Sequence, residues 1–216
     1  MTIHTIGYAL SQVNKTSQTH IAPALFYNTP ETSHLSWIGT IYPKDNHAEN
    51  NLKTCSLQLS NYIQYYQQKR TLVIGGDISA LFGISAGYNH NYQMLLLSDD
   101  ENILPAPYMD LLAHQTDLKQ IIALHDIHSD INQIGKHQLT DNIDDLIEPQ
   151  KPLILVIDAS FLAANNPHKN DHIQILKQLK HLKPQTLAIT NYSPNNDNDQ
   201  ETFKQLLTWI KHFTTN

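Results

Sequence analysis

Val73-Ile74-Gly75-Gly76-Asp77-Ile78-Ser79 decides the reading of this chain. A short apolar run ends in two glycines and an acid, the pattern of a buried strand stopping at a tight turn. Two further segments repeat the theme: Leu96-Leu97-Ser98-Asp99-Asp100-Glu101-Asn102 and Leu155-Val156-Ile157-Asp158-Ala159-Ser160. In each, polar residues follow directly on apolar ones. That puts them at the carboxyl ends of strands, where open α/β sheets bind ligands. Taken singly, each has a plainer explanation, since Gly-Gly-Asp is a common turn and strand-end acids often cap helices. Occurring in series with helical patterns between them, they point to a site.

Outward from these segments, β-rich runs alternate with helical patterns along the chain. Strands are expected at 2–6, 71–74, 93–97, 120–124, 153–157 and 186–189. Most are unbroken apolar runs, as strands covered on both faces require. Helical spacing links Leu52, Cys55, Leu59, Tyr62, Ile63 and Tyr66, and again Ile173, Leu176, Leu179 and Leu182. A last stripe, Phe203, Leu206, Leu207, Ile210 and Phe213, has Asp197 or Asp199 placed to cap its start. The alternation predicts a three-layer αβα sandwich around a mainly parallel sheet. Residues 14–50 are weakly patterned and read as loop mixed with short elements. No internal repeat or linker is visible, so one domain over 1–216 is expected.

The composition narrows the function classes. With 40% hydrophobic and 16% charged residues in a chain of 216, a globular domain with a full core is expected. A formal charge of −6 without basic clusters argues against nucleic acid and acidic lipid as partners. No run has the roughly 18 apolar residues of a membrane span, and the start lacks the basic and apolar regions of a signal peptide. Cys55 alone can form no intrachain disulfide. A cytoplasmic protein is the expectation.

The order of motifs resembles the ureohydrolase family (arginases, agmatinases and formimidoylglutamases). That family carries a Gly-Gly-Asp-His-Ser turn, then Asp-Ala-His-x-Asp, then Asp-x-Asp, and a final strand followed by Glu-x-Asn-Pro. Ile6-Gly7-Tyr8 is similar to its opening strand and turn. Leu124-His125-Asp126-Ile127 and the run from Ile134 to Asp141 are similar to its middle part, and Leu187-Ala188-Ile189-Thr190-Asn191-Tyr192-Ser193-Pro194 to its last strand. The resemblance covers nearly the whole chain and implies an arginase-like fold.

It also implies where two manganese ions would sit, and there this sequence departs from the pattern. The turn's histidine falls on Ile78. The ligands of the second motif fall on Ser98, Asp100 and Asn102, and those of the third on Asp158 and Ser160. The acid before the last Asn-Pro falls on Asn191. Only Asp158 is the family's residue, and Asp100 is a different residue that could still ligate. Two divalent cations held close together need several anionic or imidazole ligands to offset their repulsion. Ile78 has no lone pair, Ser98, Ser160 and Asn102 are neutral, and two carboxylates cannot balance four positive charges. No cofactor is therefore expected, and the dinuclear manganese centre is expected to be absent.

Other residues invite chemistry less strongly. Between Asn102 and Ile121 the chain is shorter than the family's, whose proton-transfer histidine lies in that stretch; His114 reads as a surface residue on a short helix. Among the thirteen histidines, His125-Asp126-Ile127-His128-Ser129-Asp130 is the densest group. If extended, Asp126, His128 and Asp130 would share a face suited to zinc, manganese or iron, but a polar loop after the 120–124 strand is the preferred reading. His168 and His172 read as solvent-exposed residues at a helix start. Ser79 lacks a matched histidine for nucleophilic work, and Cys55 reads as core.

The leading expectation is thus a ureohydrolase-like protein without catalysis, with a remnant cleft lined by Ile78, Ser98, Asp100, Asn102, Asp158, Ser160 and Asn191. Its partner would be a small polar or cationic ligand. A homo-oligomer is implied by the family's habit of assembly. The alternative is a metal-dependent hydrolase of C–N bonds in guanidino, formimino or amide substrates. It would use one metal at Asp100 and Asp158 or a site relocated near His128.

Overall fold

The computed structural model describes residues 3–11, 18–44, 48–88, 92–98, 118–124, 132–134, 147 and 150–215. Its strands are β1 (His4–Tyr8), β2 (Ser36–Ile41), β3 (Thr71–Ile74), β4 (Tyr92–Leu97), β5 (Leu118–Leu124), β6 (Asn132–Ile134), β7 (Leu153–Asp158) and β8 (Thr186–Thr190). The α-helices are α1 (Ala22–Tyr27), α2 (Ala48–Tyr66), α3 (Ala80–Gly87), α4 (Lys169–Gln178) and α5 (Glu201–Thr215). They surround an eight-stranded sheet of order β2-β1-β3-β8-β7-β4-β5-β6. Every neighbouring pair is parallel except β5 and β6. An α/β architecture with a mainly parallel sheet is what the alternating pattern calls for.

The continuous apolar runs are explained by covering on both faces. Successive strand residues point to opposite sides. Leu72, Ile74, Leu95, Leu97, Leu155, Ile157, Leu187 and Ile189 join one buried cluster with residues of α1, α4 and α5, among them Phe26, Leu176, Leu206 and Phe213. Val73, Met94, Leu96, Ile154, Val156 and Ala188 join the other, with Cys55, Leu59 and Ile63 of α2 and Leu81 and Ile84 of α3. Both periods, two along strands and near 3.6 along helices, therefore converge on the same pair of layers.

Three helical stripes are buried largely as their spacing demands. Cys55, Leu59 and Ile63 lie inside while Tyr62 is exposed. Asp197, not Asp199, caps α5: its carboxylate accepts from Thr202 N at 3.1 Å, Phe203 N at 2.8 Å and the Tyr192 hydroxyl at 3.1 Å. A cap of this kind contributes about 1 kcal/mol. The weakly patterned segment 14–50 contains a complete strand, β2, and the helix α1. β2 is a half-exposed edge strand with Gly39 inside it. Its residues therefore lack the unbroken apolar signal of the central strands.

Candidate functional site

Four adjacent strands, β3, β8, β7 and β4, carry the polar segments at their carboxyl ends. Register explains why these meet. Ile74 pairs with Ile189, Ile189 with Ile157, and Ile157 with Leu97, forming one level across the sheet. One residue further along come Gly75, Thr190, Asp158 and Ser98, with Asp158 opposite Thr190. Thr190, Asp158 and Ser98 are all buried. By alternation they continue the face of Ala188, Val156 and Leu96, which packs against α2 and α3. A shelf of polar groups thus closes one end of an apolar layer.

Asp158 is the centre of the shelf, with its residue only 1% exposed. One carboxylate oxygen accepts from Ser160 N at 2.8 Å and from the Ser160 hydroxyl at 2.5 Å. The other accepts from the Asn191 side-chain amide. Asn191 is held for this by a left-handed backbone, φ 57°, which asparagine tolerates better than most residues, and its N–H donates to Gly76 O at 2.8 Å. Both oxygens of the acid are therefore occupied by donors from the chain. Beside it, the Thr190 hydroxyl is buried without a hydrogen-bond partner among the described residues.

The Gly-Gly-Asp turn is built by backbone demands. Gly75 and Gly76 have φ of 94° and 69°. A Cβ on Gly75 would strike the Pro23 ring, and one on Gly76 would lie 2.5 Å from Tyr8 Cδ1. Asp77 is fully buried, and its carboxylate accepts from Ser79 N at 3.0 Å, a closed turn of its own. Ile78 is 2% exposed and belongs to the same apolar cluster as Tyr8, Leu81 and Ile84. Ser79 lies with its hydroxyl 3.5 Å from the Tyr8 phenol. Burial drives that phenol well above its ordinary pKa, partly offset by the Ser79 contact, so it stays protonated and acts as a polar plug.

One supporting residue departs from the sequence expectation. His168 is exposed as predicted, but His172 is completely buried. Its ring stacks on Phe161 with centroids 3.8 Å apart and planes 8° from parallel. Its Nδ1 lies 2.7 Å from Phe161 O, where the ring N–H donates. Asn166 donates to Ser160 O at 3.2 Å and accepts from His168 N at 2.8 Å. Together they fix the backbone that follows Asp158. The signal was present: His172 stands three and four residues before Ile175 and Leu176 and seven before Leu179, on the face of α4 that is buried.

Asp100, Asn102, His114 and the group from His125 to Asp130 lie outside the described residues. The structure thus brings together Ser98, Asp158, Ser160, Asn191 and the turn holding Ile78.

Comparison with known proteins separates sequence from shape. No protein-family model matches the sequence, and no curated protein does so. Solved structures match throughout. Formimidoylglutamase from Bacillus subtilis superposes with a TM-score of 0.70 at 13% identity, covering 99% of this chain and 86% of that one. Arginase from the same organism gives 0.70 at 13% identity over 98% and 97%. Proclavaminate amidino hydrolase from Streptomyces clavuligerus gives 0.66 at 13%, over 98% and 90%. The chain has the ureohydrolase fold. At 13% identity the likeness concerns the fold alone, and the chemistry has to be judged on the side chains.

On this ureohydrolase fold the described side chains do not fit a pair of divalent cations. Ile78 offers no donor atom and sits in the core. Ser98 and Ser160 are neutral, and the Ser160 hydroxyl is already spent on Asp158. Asn191 turns an N–H toward Asp158 where a cation would need an oxygen. Among the described residues, His, Cys, Asp and Glu nowhere gather in groups of three or more suited to a metal. Single-metal water activation usually takes three protein ligands as well.

Proposed function

We propose that this protein is a non-catalytic member of the ureohydrolase fold, a binding or regulatory protein whose former metal level is now a closed polar shelf. One observation carries the reading: both oxygens of Asp158 accept from Ser160 and Asn191, so the acid is satisfied without a cation. Buried carboxylates are stable only when paired or hydrogen-bonded, and neutral donors meet that need here. The ligand we expect on such a shelf is small and polar or cationic. Cys55, a buried thiol, fits a reducing compartment, and we propose a cytoplasmic location. No helix among the described residues is long and apolar enough to cross a membrane. A single domain over 1–216 rests on the lack of an internal repeat or linker in the sequence, and a homo-oligomer on the motif resemblance described above.

The test is catalytic. Purified protein supplied with manganese is assayed against arginine, agmatine and formimidoylglutamate. Release of urea or formamide no faster than in buffer is the expected outcome. Saturable turnover that a chelator abolishes would refute the reading and favour a surviving C–N hydrolase.

A further inference from the structure

The sheet ends at β2, and among the described residues that strand has a neighbouring strand on one side only. The stretch 32–43, which contains it, has no aspartate, glutamate, lysine or arginine. Edge strands are commonly blunted by such charges or by proline, because a bare row of N–H and C=O groups invites another strand. Ser36–Ile41 carries neither. Its one irregularity is a bulge: Thr5 pairs with Trp37 and Ile6 with Gly39, so Ile38 is an extra residue near the start. From Gly39 onward the register is regular.

The backbone shows which groups face outward. Ile41 O accepts from Ala9 N at 2.9 Å, so the polar groups of Ile41 are turned toward β1. Alternation turns those of Thr40 away from it. Gly39 beside it is exposed, and a Cβ there would meet nothing within 4 Å. The side chains divide by face. Trp37 packs on the α1 side, where the Tyr27 ring meets it edge-on at 5.4 Å, and Thr40 lies on that side too, beside Gly7 and Pro23. Tyr42 follows on the same face by alternation. Tyr27 is 60% and Tyr42 58% exposed, so an aromatic pair stands at one end of the edge and a bare tyrosine at the other.

Two copies of β2 related by a two-fold axis at Thr40 run antiparallel, with their α1 faces on the same side. The rotation sets Thr40 against Thr40 and Gly39 against Ile41. It brings Tyr42 to the Ile38 bulge, next to Trp37 and Tyr27. Each end of the edge thus receives what the other offers, as an isologous contact requires. Aromatic pairs across strands are favourable, and no like charges meet along the strands although each chain carries −6. We propose that the β2 edge joins two copies of this chain about a two-fold axis at Thr40, making one sheet from two of eight strands. The interface rests on the homo-oligomer proposed above, gives it a defined surface, and is independent of the remnant cleft.

The test is assembly of the full chain. Sedimentation over a dilution series should show a monomer–dimer equilibrium. Gly39→Lys fits the open space and sets an ammonium on the edge, and it should weaken the dimer at least about tenfold. Thr40→Pro, which removes the central donor, should act in the same direction. Thr40→Cys should form an interchain disulfide on mild oxidation, since Cα atoms of such a pair stand about 5.5 Å apart. The parent, whose Cys55 is buried, should not. This cross-link decides the matter even if Gly39→Lys or Thr40→Pro fails to fold. A monomer at every concentration would overturn the interface and the homo-oligomer together, leaving the edge to a strand of another protein. An oligomer that both edge substitutions leave intact, and that Thr40→Cys does not cross-link, would overturn the interface alone and move assembly to another surface.

Discussion

The two ends of one sheet solve the problem of buried charge in opposite ways. At the carboxyl end, Asp77 and Asp158 are buried, and each faces donors supplied within two residues, Ser79 N for one and Ser160 for the other. At the amino end, Arg70 Nε and His4 Nε2 are buried without hydrogen-bond partners among the described residues. A carboxylate already met by donors of its own chain has little left to offer a cation, while an unpaired buried group costs stability.

The largest expected effect that bears on this contrast is at the closed end. Gly76→Ala places a Cβ on Tyr8 and a side chain at φ 69°, and should lower unfolding free energy by about 3 kcal/mol or more, measured by urea denaturation. Asp158→Ala should cost about 2 kcal/mol, because Ser160 N and the Asn191 amide lose their acceptor. If added manganese raised the melting temperature of the parent protein but not of Asp158→Ala, the view of a self-satisfied acid would fail.

Smaller effects sharpen the other end. His4 stacks on Tyr66 at 4.3 Å, and burial, then the Lys69 charge, holds its pKa below the ordinary 6.5. A depressed histidine favours the neutral ring in the fold, so its contribution is complete above pH 6.5 and is lost as pH falls through its folded value. His4→Gln should therefore flatten the acid side of the stability–pH curve. A parallel curve for parent and variant would exclude His4 as the cause. Smallest of all, Thr190→Val should change stability by no more than about 0.5 kcal/mol in the unfavourable direction, since the buried hydroxyl has no partner to lose.

Much of the fold was legible because the central strands are covered twice and so are apolar without interruption. Residues 71–74, predicted as a strand, form β3 with the same bounds. Residues 153–157 and 186–189 fall within β7 and β8, each of which runs one residue further. β2 was hidden because an edge strand with exposed positions and a glycine loses the pattern that marks its neighbours. The polar shelf was legible as a list of residues but not as a network. The amide–carboxylate pairing of Asn191 with Asp158 spans two strands and depends on their register. His172 was misread because a histidine near a polar helix start resembles a surface residue, whereas its burial comes from Phe161, eleven positions away. Arg70 gave no signal at all, since a basic pair after a helix is ordinary until the Phe213 ring packs on the guanidinium.

The central claim is that the carboxyl end no longer holds a metal pair, and metal content tests it most directly. The purified protein is incubated with manganese, freed of unbound ion and submitted to elemental analysis. Manganese near zero per chain is the predicted result; one or two ions retained per chain would contradict it.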